Sequence, residues 1–232
     1  MKLGIILVRF GIPDIEKEVV STLFENTVSK EWTLHIVDNW GNPESLTEVW
    51  NRKCQDVISA GSTGIVLLNN DCWVAPGWNL EIEAAFARNH ELGICGPHSN
   101  CGSQTAPGEV PAPVLLERGC PHPGWLANAA AKCRENWAGR TRPCEIYGHC
   151  MVIAARAFCA LEGFQAELLR GYTLYGSEQS FSARARARGW ASELAMGSYA
   201  YHLGQASGRR LPPGALAREQ ERGRQIFGST PL

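Results

Sequence analysis

Aspartate is scarce in this sequence: Asp14, Asp38, Asp56 and Asp71 are the only four in 232 residues. Charge of one sign is also lacking. The formal net charge is −1, which excludes a strongly basic nucleic-acid binder. No apolar run approaches the ~20 residues of a membrane span; Ile5–Val8 and Ile65–Leu68 are typical. The opening MKLGIILVRFG has too short an apolar part for a signal peptide and no small-residue cleavage site. It therefore reads as a first strand and a cytoplasmic location is expected. There is no C-x-x-C pair among the nine cysteines. Cys95, His98, Cys101, Cys120 and His122 could in principle hold zinc, but their spacing fits no compact zinc motif. The expectation is free, buried thiols.

Phosphate-cradling and nucleophile motifs are missing too. The turn after the first strand, Arg9-Phe10-Gly11-Ile12-Pro13, is neither G-x-G-x-x-G nor a Walker loop, and no G-x-S-x-G elbow occurs. This argues against the usual dinucleotide and triphosphate cradles and against an α/β hydrolase.

What is present is an apolar, aromatic-rich chain with alternating hydrophobic periods. Strands are expected at Leu3–Val8, Leu34–Val37, Gly64–Leu68 and Gly93–Cys95. Helices are expected at Ile15–Val28, from Ser45 to about Ala60, and at Trp78–His90. This β-α-β-α-β-α-β order predicts an α/β fold with a mostly parallel sheet flanked by helices. Residues 96–122 read as a long loop. Trp125–Ala138 reads as a helix, Cys150–Ala154 as a strand and Phe158–Phe164 as a short helix with a turn. A helix opened by Ser177 and ended at Gly189 follows, then a last strand at Ala195–His202 and a polar tail with one surface helix after Pro212-Pro213. In such sheets ligands sit beyond the carboxyl ends of the strands. Asp38 and Asp71 stand there, although Asp is also an ordinary turn former. An Asp held at a strand end can ligate a hard divalent cation.

Six segments in order resemble the inverting nucleotide-sugar glycosyltransferases of GT-A fold, the large bacterial polysaccharide and rhamnosyl-type family. They are HIVDNWG, LLNNDCWVAPGW, Gly96-Pro97 with Ser99-Asn100, GHCMVIAARAFCALEGF, YGSEQSFSARARARGW and YHLGQAS. The resemblance spans about Lys2 to Ser207. It implies one GT-A domain over residues 1–208, with a nucleotide-binding half at 1–97 and a smaller, mixed acceptor-side half at 98–208, followed by a polar tail at 209–232. Asn69-Asn70-Asp71 stands at the family's DXD-type position. The resemblance implies that Arg9, Asp38, Asn69 and Asn70 line the donor pocket. It also implies that Asp71 and His202 ligate Mn²⁺ or Mg²⁺ and that Glu178 is the general base. The donor would be a nucleoside-diphosphate sugar, with a glycan, lipid-linked or small-molecule acceptor, as in a hexosyltransferase.

Glu178 has Ser177, Gln179 and Ser180 as neighbours, so the acid cluster usual in the family is reduced to one carboxylate. It is also the acid that a helix N-terminus favours. A catalytically weak sugar-nucleotide binding module is thus the alternative, and a nucleotidyltransferase a more distant one. Trp40, Trp50, Trp73 and Trp78 suit a core better than a sugar platform, with Trp73 and Trp78 the better sugar candidates. Arg184 is expected to pair with an internal acid, and Arg186 and Arg188 to be exposed. From Ser182 onward eight arginines face Glu193, Glu219 and Glu221, which suits a solvated surface or peripheral contact with the inner membrane surface.

Overall fold

The computed structural model describes residues 1–28, 31–39, 44–105, 110, 112–166 and 177–204, with isolated positions 214, 217, 218 and 221. Strands are β1 (Leu3–Arg9), β2 (Trp32–Asp38), β3 (Gly64–Asn69), β4 (Cys72–Val74), β5 (Leu92–His98), β6 (Thr141–Pro143), β7 (Cys150–Ala154) and β8 (Ala191–His202). Helices are α1 (Pro13–Asn26), α2 (Leu46–Ser59), α3 (Trp78–Arg88), α4 (Pro123–Trp137), α5 (Ala155–Ala160) and α6 (Ser177–Ala187). Local signals explain several boundaries. Pro13 occupies the first turn of α1, where its missing N–H costs nothing. Ser45 accepts from the backbone of Glu48, while the Glu48 side chain accepts from the Ser45 backbone, so a capping box starts α2.

The strands lie in the order β2-β1-β3-β7-β5-β8-β4, with β6 also on β8. Pairs β1–β2, β1–β3 and β5–β8 are parallel, as the alternating pattern predicts. The fourth parallel strand is not where a simple β-α-β succession puts it. β7 runs antiparallel between β3 and β5, so the two chain halves share one sheet. The segment expected as a loop from residue 96 also begins differently: β5 continues to His98, because Pro97 and His98 stay paired with β8 through a bulge. The strands β4 and β6 are short additions that hydrophobic periodicity does not reveal.

Side-chain alternation gives the sheet two buried faces. Leu3, Ile5 and Leu7 pack with Val19 and Leu23 of α1, Ile82 and Phe86 of α3 and Trp125 of α4. Ile6 and Val8 pack with Val49, Trp50 and Val57 of α2, Phe158 of α5 and Phe181 of α6. The result is three layers, helix–sheet–helix. Trp73 and Trp78 belong to the first core, 2% and 1% exposed, and are not sugar platforms. Among the described residues Arg184 makes no ion pair with an internal acid, and Glu162 acts on it only through its charge. Its guanidinium donates to the carbonyls of Leu161 and Gly163 and so staples the turn after α5 to α6. Arg186 and Arg188 are exposed. Trp40 lies outside the described residues, and of the helix expected after Pro212-Pro213 only Ala217, Arg218 and Glu221 are described, all three helical.

Candidate functional site

The carboxyl ends of β1, β2 and β3 form one rim. Arg9 is in register with Asp38 and Val8 with Asn69, so Asp38 and Asn69 flank β1 two strands apart. Asp71 follows in the tight connection to β4. Because β4 runs antiparallel to β8, Cys72 pairs with His202 and the N–H of Leu203 donates to the carbonyl of Asp71. This register carries His202 to the rim. Its Nε2 lies 3.1 Å from Asp71 Oδ1, and the Asn69 amide nitrogen is 3.3 Å from the same ring nitrogen.

The rest of the cluster comes from the second half of the chain. Asn100 accepts from the backbone N–H of His202 and donates to its carbonyl, both at 2.8 Å. Cys101 Sγ is 3.5 Å from His202 Nδ1. His149, just before β7, stacks on His202 with centroids 4.8 Å apart and planes 12° apart. Its carbonyl accepts from the N–H of Asn69. Burial lowers the His202 pKa, but hydrogen bonds with Asp71 and Cys101 outweigh it and carry the ring up to about 10. Burial and the neighbouring His202 push His149 well below the ordinary imidazole value, so it is a neutral ring.

Glu178 enters from the first turn of α6. Its carboxylate packs against Gly148: a Cβ on Gly148 would stand 3.4 Å from Glu178 Oε1 and 3.2 Å from Trp50 Cη2. Burial raises the Glu178 pKa, while the backbone N–H groups of Glu178 and Gly148 draw it back in part. Thr47 and Ser177 share a 2.5 Å hydrogen bond that ties the starts of α2 and α6 together. Gly148 and His149 are adjacent, so one turn of backbone links Glu178 to the Asp71–His202 cluster.

Arg9 and Asp38 lie apart from that cluster, on the α1 side. They line an open cavity of ≈ 600 Å³ with Glu16, Lys17, Val20 and Ile36. Glu16, 4% exposed, takes the Arg9 guanidinium through contacts of 2.6–2.9 Å. Their hydrogen bond and charge raise the Arg9 pKa further. Asn70 is buried beside Asp71. All nine cysteines are free thiols. The zinc set considered from sequence does not assemble. Cys101 instead meets His149 and His202, while His98 is buried beside Cys133. Sequence reasoning missed His149 as a site residue. Its one signal is a polar residue placed just before the apolar run of β7.

No family model and no curated protein matches the chain. Among solved structures it is similar to GalNAc-T7 with UDP, GalNAc and Mn²⁺ (TM-score 0.57, 13% identity, 87% of this chain and 44% of that one). It is similar to the catalytic domain of Drosophila β1,4-galactosyltransferase 7 in complex with xylobiose (TM-score 0.54, 11% identity, 96% and 79%). It is also similar to S. aureus TarS 1–349 in complex with UDP-GlcNAc (TM-score 0.53, 12% identity, 100% and 68%). The chain thus has a GT-A-like glycosyltransferase fold. It spans less than half the length of the GalNAc-T7 chain. Among the described residues no helix is long and apolar enough to cross a membrane.

Proposed function

We propose that the chain transfers a sugar from a nucleoside-diphosphate donor to an acceptor hydroxyl with inversion. One observation carries the reading: Asp71 and His202 meet at the strand rim, and Gly148-His149 bridges them to Glu178. The fold likeness supports a nucleotide-sugar donor and a hexosyltransferase type of reaction. The acceptor is a glycan, a lipid-linked sugar or a small molecule.

Glu178 is the general base. It takes the proton of the acceptor hydroxyl as that oxygen attacks the anomeric carbon, and the nucleoside diphosphate leaves from the opposite face. A carboxylate whose pKa is raised by burial is a better proton acceptor than an exposed one. Asp38 accepts from the base or ribose of the nucleotide. Arg9, oriented by Glu16, offers positive charge along the same wall. Asn69 and Asn70 contribute neutral amides near the diphosphate. Asp71 would supply a carboxylate oxygen and His202 a nitrogen, with an amide oxygen from Asn69 once that side chain turns its nitrogen away from His202, a donor set that fits Mn²⁺ better than Mg²⁺, which prefers oxygen ligands. A cation held there would neutralise charge on the departing diphosphate.

The test is a screen of nucleoside-diphosphate sugars for release of the diphosphate, with and without Mn²⁺. At least one donor is expected to be turned over and to raise the unfolding temperature by mass action. A donor that binds but is never turned over with any acceptor would make the chain a sugar-nucleotide binding module. Absence of binding by every donor would end the reading.

A further inference from the structure

Behind the Asp71–His202 pair lies a second set of donor atoms. Cys101, His149 and His202 bring one ligand atom each within 4.8 Å of one another. Cys101 Sγ is 3.5 Å from His202 Nδ1 and 4.0 Å from His149 Nδ1. In tetrahedral zinc, bonds of about 2.3 Å to sulfur and about 2.0 Å to nitrogen put those two ligands about 3.5 Å apart. The first contact already has that length. The second needs His149 to close by about half an ångström, and the two imidazoles, stacked with donors within 4.8 Å, must tilt and close to about 3.3 Å. His149 is 3% exposed, and it is its Nδ1 that faces Cys101; its other nitrogen, Nε2, has no hydrogen-bond partner among the described residues.

The surroundings are built for a ligating imidazole. Asp71 Oδ1 holds the outer nitrogen of His202, Nε2, at 3.1 Å. A carboxylate on the outer nitrogen is the usual way a metal-bound histidine is oriented. Asn100 fixes the backbone of His202 from both sides. The three donors come from the segment after β5, the head of β7 and the end of β8, so a bound ion would tie three strands at the rim.

From these atoms we infer a metal site of its own chemistry: Cys101 Sγ, His149 and His202 Nδ1 bind a thiophilic divalent cation of the zinc class. Asp71 is the outer carboxylate, and the fourth position is open to water or a substrate oxygen. One sulfur and two imidazole nitrogens suit zinc and reject Mg²⁺. On binding, the Cys101 S–H and His202 Nδ1–H bonds break and both protons pass to the solvent, so the metal meets a thiolate and a neutral imidazole that keeps its Nε2–H toward Asp71. With zinc on Nδ1, His202 keeps the Nε2–H that Asp71 accepts, so the ring then serves zinc and not a Mn²⁺ beside Asp71 and Asn69, and the two ions compete for it. This ligand set does not depend on sugar transfer, since zinc binds it without a donor.

The test uses metal-free protein loaded with Zn²⁺ or Co²⁺ in the absence of any nucleotide. The expected results are one zinc per chain and, with cobalt, a thiolate-to-metal charge-transfer band. Cys101→Ser should abolish that band and weaken zinc binding by more than about a hundredfold, the upper end for loss of an outer partner. Asp71→Asn should weaken it by about ten- to a hundredfold. Replacing the exposed Cys159 with Ser should change neither. A wild-type cobalt complex without the thiolate band, or a Cys101→Ser protein that keeps it, would overturn the site. The wild-type spectrum decides by itself should Cys101→Ser fail to fold. A chain that holds zinc but binds no sugar nucleotide would refute the transferase reading alone.

Discussion

His202 Nε2 lies 3.1 Å from Asp71 Oδ1, across 131 positions of the chain. The contact follows from β4, three residues long, pairing antiparallel with the end of β8. Asp71 is 3% exposed and His202 is largely covered, so the pair is a partly desolvated acid–imidazole contact and not a surface ion pair. Both members of the predicted metal pair therefore reach one point, and the strand register fixes their separation.

Replacing Glu178 with Gln should remove the proton acceptor and keep the shape. Turnover is expected to fall by about 10²- to 10⁴-fold, the usual contribution of a general base. Donor affinity, read by calorimetric titration, should stay within a few-fold. A comparable loss of affinity would assign Glu178 to binding instead.

The raised Glu178 pKa has opposite consequences for rate and stability. The base works only when ionised, so kcat/KM should fall on the acid side, beginning at a higher pH than an ordinary carboxylate would give. Stability runs the other way. The contribution of the neutral form is fully present below the unfolded carboxylate pKa and is lost as pH rises through the higher folded value. Glu178→Gln should consequently unfold at a higher temperature than wild type at neutral pH, with the gap closing in acid. Thermal melts at several pH values check this.

Gly148→Ala should impair turnover more than folding. The new methyl group would stand 3.2 Å from Trp50 Cη2 and 3.4 Å from Glu178 Oε1. Either contact can relax by a few tenths of an ångström, but relaxation moves the carboxylate. We expect a drop in kcat with a small change in the urea midpoint. A large loss of stability with unchanged kcat in the folded fraction would refute the positioning role.

Arg9→Ala leaves the buried Glu16 carboxylate without its guanidinium. The expected cost is about 1–2 kcal/mol, less than for a fully buried pair, because Arg9 keeps 41% of its side chain exposed. Glu16→Gln with Arg9→Ala should recover part of that loss. Urea denaturation of the two variants measures the difference.

Ser45→Ala tests the cap of α2, the helix whose start Thr47 ties to Ser177. It breaks the capping box of α2 and should cost about 1 kcal/mol without altering donor binding. A double-mutant comparison with Glu48→Ala should show that the two losses do not add.

The helices and central strands were legible because their signals are local. Pro13, Ser45 and Gly189 mark starts and stops, and the apolar periods separate Leu3–Arg9 from Pro13–Asn26. Asp38 and Asp71 were legible as strand-end acids. His149 was not, and Cys101 was read only in a different set of possible zinc ligands. Each lies 48 residues or more from its partners in the cluster, so no spacing connects them. Trp73 and Trp78 were rightly expected in the core, and the lesser reading as sugar platforms arose because an aromatic next to a strand end looks the same whether it turns inward or outward. Arg184 shows the same ambiguity: its partners are two carbonyls, which carry no trace in the sequence.

Composition and periodicity alone determined that this chain is an α/β protein with acids at the ends of its strands, since burial patterns are set within a few residues. The tertiary structure decided that β7 enters antiparallel between β3 and β5, and that Asp71, Cys101, His149 and His202 converge. Strand order and register arise from long-range pairing and packing, whose energies depend on the whole core and not on any local pattern.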